Sequence, residues 1–81
     1  MDDFTLTLRD GILIIIRGKM KTFLPVRLVT SIDITRPRCN HTEITIKYSG
    51  GGPIQLIGEA DLQSYNAYEA KVIEILTAAV G

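Results

Sequence analysis

Between Glu59 and Val80 the chain carries the one helical periodicity it contains. Leu62, Tyr65, Val72, Leu76 and Ala79 recur at spacings of three, four or seven, with Tyr68 and Ile75 on the flank. That spacing predicts an amphipathic helix of about five turns with one apolar stripe. Its expected span is about residues 61–79, with Asp61 as N-cap and Gly81 where a helix stop belongs. A lone helix must bury its stripe against something. Everything before it reads as short strands, so the partner must be a β-sheet.

The strands fall within residues 4–58. Phe4, Leu6 and Leu8 alternate with Thr5, Thr7 and Arg9, the pattern of a half-buried strand. Asp10-Gly11 follows, the dipeptide suited to the positive φ angles of a tight hairpin turn. The return strand, Ile12 to Arg17, is apolar on both faces. One face is expected to join the core. The other, assigned here to Leu13 and Ile15, then needs a second cover: the helix, a neighbouring subunit or the far side of a barrel. Gly18 to Lys21 reads as the next turn, and Thr22 to Leu24 as a short strand limited by Pro25. Val26 to Val29 fits either a bulged continuation or a one-turn corner. From Thr30 alternation resumes, with Ile32 and Ile34 inward, up to the polar turn Arg36 to His41. Thr42 to Tyr48 alternates cleanly, Gly50-Gly51-Gly52 makes a hairpin loop, and Ile54 and Leu56 face inward in the last strand.

The resulting reading is a mainly β protein with one C-terminal α-helix, a single domain over residues 1–81. One cysteine, Cys39, leaves no disulfide framework and points to a reducing compartment. The start, MDDFTLTLRD, is acidic and then alternating, unlike a signal peptide. The longest apolar run, Ile12 to Ile16, is far shorter than a membrane span. A cytoplasmic location is expected, peripheral to the membrane if the chain binds lipid. Formal net charge is zero, which disfavours nucleic acid, whose binding rests on phosphate neutralisation. The charge is unevenly spread: residues 1–48 hold eight Lys/Arg against five Asp/Glu, and residues 49–81 hold one against four. A sheet half near +3 and a strand–helix half near −3 either reflect chance or favour head-to-tail self-association.

The order of these pieces resembles the small bacterial pleckstrin-homology-like (PH-like) domains. The matching stretches are Leu8-Arg9-Asp10-Gly11-Ile12-Leu13-Ile14, and Leu24-Pro25-Val26 with Val29, Ser31, Ile32 and Ile34. Ile44-Thr45-Ile46, Gly50-Gly51-Gly52, Ile54-Gln55-Leu56-Ile57-Gly58 and the closing helix complete the series. The resemblance implies a partly open antiparallel β-barrel or sandwich of five to seven strands capped by the helix. It also implies binding or assembly rather than catalysis. Family members that bind phosphoinositides do so through basic residues on a long first hairpin loop; here that turn is only Asp10-Gly11, beside Arg9.

Few residues invite a site. Arg17, Lys19 and Lys21 place three cations within five residues, suited to phosphate or an anionic membrane surface. The same lysines also serve to keep a strand edge from pairing. Cys39 and His41 share a turn with Arg36 and Arg38, but one Cys and one His fall short of four zinc ligands. A catalytic thiolate would further need a held base and an oxyanion hole. The glycine triplet joins strands, whereas a phosphate loop opens a helix and carries Lys-Ser/Thr. Tyr65, Tyr68 and Asn66 form either a binding face or rings packed on the sheet with hydroxyls at the rim. Leu13 and Ile15, with Ile57, Ile73 and Val80 off the principal inward faces, are the candidate protein interface. The expected function is a non-enzymatic binding or assembly module making protein contacts, including homo-oligomers, with anionic-lipid binding as the alternative. No catalytic residue, cofactor or metal is expected.

Overall fold

The computed structural model describes residues 4–36, 41–59 and 61–80. Six strands and one helix follow in order: β1 (Phe4–Arg9), β2 (Ile12–Arg17), β3 (Met20–Pro25), β4 (Val29–Thr35), β5 (Thr42–Tyr48), β6 (Ile54–Gly58) and α1 (Leu62–Val80). Among the described residues the strands form two antiparallel three-stranded meanders, β1-β2-β3 and β4-β5-β6, and no closed barrel. A single 3-10 turn, Val26–Leu28, makes the corner between them.

Local chemistry sets the first sheet. Asp10 and Gly11 take φ of 52° and 76°, the paired positive values of a two-residue primed turn. This turn pairs Arg9 with Ile12, which places Leu8 opposite Leu13 and Leu6 opposite Ile15. Leu13 and Ile15 therefore share the face of Leu6 and Leu8, and both are fully buried. Their assignment to the uncovered face is corrected: Ile12, Ile14 and Ile16 occupy that face instead. The second turn is also shorter than expected, only Gly18-Lys19, so β3 begins at Met20. Pro25 ends β3, an edge strand where its missing N–H costs no ladder bond. Beyond it the Val26 amide donates to the Gly11 carbonyl at 2.9 Å, tying the corner to the first turn.

The second sheet needs a correction of phase. Val29 is buried, as are the inner residues of β5, yet Val29 and Ile32 stand an odd number of positions apart. A bulge between Val29 and Ser31 restores the parity, and the Thr30 hydroxyl donates to the Lys47 carbonyl at 3.0 Å. Ile32 and Ile34 then pair with Ile46 and Ile44, which pair in turn with Ile54 and Leu56.

Both inner faces and the helix meet in one core, whose fully enclosed members include Leu13, Ile15, Ile44, Ile46, Leu56 and Ile75. Each such side chain contributes roughly 1.5–3 kcal/mol by leaving water. The helix packs on the corner and on β4. Its inner stripe runs Tyr68, Val72, Ile75 and Ala79, so the expected stripe is rotated. Leu62, assigned to it, is 61% exposed and lies on the far side. Asp61 caps the helix as expected, accepting from the Ser64 amide at 2.9 Å. That bond and the Ser64 hydroxyl hold its carboxyl below the ordinary value of 3.8. The cap's contribution is therefore present above that value and fades as pH falls through the lowered one.

One cluster closes the seam between the sheets. The Phe4 and Tyr68 rings stack at 5.2 Å, and the Tyr68 hydroxyl accepts from the Glu59 amide at 3.0 Å. Fully buried Thr42 donates its hydroxyl to the Glu59 carbonyl at 2.7 Å. Gly58 fits beneath: a Cβ there would lie 2.6 Å from the Tyr68 hydroxyl and 2.7 Å from Phe4.

Candidate functional site

The outer face of the first sheet follows from its register. Its cross-strand rows are Thr5–Ile16–Lys21, Thr7–Ile14–Phe23 and Arg9–Ile12–Pro25. The three isoleucines occupy the central strand and are half-buried by their neighbours. Phe23, on the edge strand, is 62% exposed. An antiparallel sheet with one solvated face normally alternates apolar inside and polar outside. β2 breaks that rule by carrying branched apolar side chains on both faces. The helix packs elsewhere, leaving this outer face without a cover among the described residues.

The sequence-derived site residues are dispersed. Leu13 and Ile15 are in the core, and Ile57, 39% exposed, lies on the outer face of the other sheet opposite Glu43. These three do not form one surface. Arg17, Lys19 and Lys21 also diverge, because successive strand residues alternate faces. Arg17 stands on the inner row with Phe4 and Met20, half-buried, its Nε without a hydrogen-bond partner among the described residues. Lys19 sits in the turn and Lys21 on the outer face, both exposed.

Cys39 and Arg38 lie outside the described residues, as does Gly81. His41 Nε2 is 2.9 Å from Glu43 Oε2. Among the described residues no group of three or more His, Cys, Asp or Glu is placed to hold a metal ion. The Arg36 guanidinium lies over the Tyr65 ring, 5.4 Å from its centre, an arrangement of cation–π type. Gly50, with φ of 97°, turns the β5–β6 hairpin. Of the candidate helix residues, Tyr68 serves the seam and Asn66 is exposed.

A second exposed surface, mixed along its length and apolar at its C-terminal end, lies on the far side of the helix. Leu62, Asn66, Glu69, Ile73, Thr77 and Val80 succeed one another there at three- and four-residue spacings. Toward the C-terminal end Ile73, Leu76, Thr77 and Val80 line an open hollow of about 580 Å³. Ile73 and Val80 are 60% and 90% exposed. The sequence places Ile73 and Val80 off the inward faces, and the helix packing aligns them with Leu62.

Among the described residues no helix is long and apolar enough to cross a membrane. Comparison with family models, with curated proteins and with solved structures finds no match for this chain.

Proposed function

We propose that this chain is a non-enzymatic, PH-like binding and assembly module of the cytoplasm. In this reading it makes protein contacts, other copies of itself included, through the outer face of β1-β2-β3. One observation carries the reading: Phe23 stands 62% exposed beside Ile12, Ile14 and Ile16 on a face with no cover among the described residues. Contiguous exposed apolar surface of this kind marks interaction sites. Two meanders followed by a packed C-terminal helix agree with the PH-like pattern read from the sequence.

A photo-cross-linking residue placed at Phe23, compared with one at Lys47 on the other sheet's outer face, tests this in cells. Protein adducts at position 23 and none at 47 are expected. Equal yields, or no protein adduct at 23, would sink the reading.

A second reading is supported by the tip of the β2–β3 hairpin, where Met20, 52% exposed, stands between exposed Lys19 and Lys21. A shallow apolar insertion flanked by cations suits an anionic membrane surface. Flotation with phosphatidylserine vesicles tests it: binding is expected to disappear in Lys19→Glu/Lys21→Glu, and undiminished binding removes the site.

A further inference from the structure

We infer that copies of this chain associate head to tail, the outer face of the first sheet of one copy seating on the far side of the helix of the next. The inference rests on the sheet face being a protein-contact surface and adds what occupies it.

Among the described residues, exposed large apolar side chains concentrate on two surfaces. Phe23 belongs to the outer face of the first sheet, beside half-buried Ile12, Ile14 and Ile16, and Leu62, Ile73 and Val80 to the helix. Met20 falls on the inner row at the hairpin tip, and Ile57 stands apart among polar neighbours. The two surfaces cannot cover each other within one chain. Strand alternation turns the sheet face away from the core, and the helix presents its other side to that core.

Charge decides how two copies fit. Among the described residues, Arg9, Lys19 and Lys21 stand around the sheet face against one nearby acid, Asp10, 3.9 Å from Arg9. On the helix, Glu69 lies within the exposed row between Leu62 and Ile73, and Glu74 stands to its side, engaging Lys71 at 3.0 Å. A symmetric sheet-on-sheet dimer would set the basic rim against itself, and a helix-on-helix dimer would do the same for the acids. Only the heterologous pairing brings opposite charges together. Three strands about 4.8 Å apart and six residues long present roughly 300 Å² of footprint, below the ~800 Å² per partner of a stable interface. Each contact is therefore weak and concentration-dependent, and a heterologous contact that does not close grows into a chain.

Sedimentation velocity supplies the test. Wild-type mass should rise with protein concentration and association should weaken roughly tenfold from low to high salt. Phe23→Asp and Ile73→Asp, both at exposed positions, should each be folded by circular dichroism and fail to grow. Mixed together they should form a 1:1 heterodimer that stops there, because each keeps the surface the other has lost. Three results overturn the inference: a wild-type monomer at millimolar concentration, Ile73→Asp that dimerises as well as wild type, or a mixture that stays monomeric. A monomer that still gives protein adducts at position 23 overturns the head-to-tail contact alone. A monomer with no adducts sinks the contact surface too.

Discussion

The two sheets of this molecule match in strand number, meander order and inner face, and differ on the outside. The outer face of β4-β5-β6 carries Asp33, Thr45 and Gln55 in one row, with Lys47 reaching Asp33 at 3.5 Å. Its one apolar member, Ile57, is isolated beside Glu43. The outer face of β1-β2-β3 carries Ile12, Ile14, Ile16 and Phe23 in the equivalent places. Water is the adequate partner for the first pattern. The second loses hydrophobic free energy for as long as water is its only partner. Identical topology thus separates what the fold requires, the inner faces, from what it does not, the apolar exterior of one sheet.

The inner faces should prove equivalent, and this is the largest effect. Leu13→Ala and Ile46→Ala, one from each sheet, should each cost about 2–5 kcal/mol in urea unfolding. A cost below about 1 kcal/mol for Leu13→Ala would mean that the first sheet is not half of the core. The seam between the sheets should be less sensitive. Gly58→Ala forces a Cβ toward Tyr68 and Phe4, and a loss of about 1–3 kcal/mol is expected; an unchanged midpoint would show that the sheets are not locked there. The outer faces come last. Phe23→Thr and Ile57→Thr should each move stability by less than about 0.5 kcal/mol, while only Phe23→Thr alters self-association. A matching effect from Ile57→Thr would erase the distinction between the two exteriors.

Much of the first sheet was legible because its determinants are local. Asp10-Gly11 announces its own turn, and strand alternation in β1 is plain. The face of β2 could have been read as well. A two-residue turn opposes residues 8 and 13, so Leu8 inward carries Leu13 inward; the run of isoleucines concealed this by being apolar at every position. Arg17, Lys19 and Lys21 read as one cluster only if the turn spans the four residues Gly18 to Lys21. Once it is Gly18-Lys19, Arg17 and Lys21 fall on opposite faces. The bulge at Thr30 has no local signature, since it is imposed by tertiary packing that needs both Val29 and Ile32 inside. The helix stripe misled for a related reason. Leu62 fits the inner spacing to Tyr65 and the outer spacing to Ile73, and only packing against the corner chooses between them.

The seam at Tyr68 also bears on how the chain is assembled in time. Phe4 belongs to the first strand and Tyr68 to the last helix, and their stacking at 5.2 Å joins residues from the two ends of the sequence. Closing so long a loop carries an entropic cost that local hairpins do not, and such distant contacts slow folding. The two meanders can form early, each from adjacent strands, but the inner side of the first remains uncovered until the second sheet and the helix have emerged to complete the core. During synthesis, that interval is when Leu6, Leu13 and Ile15 are open to the wrong neighbours.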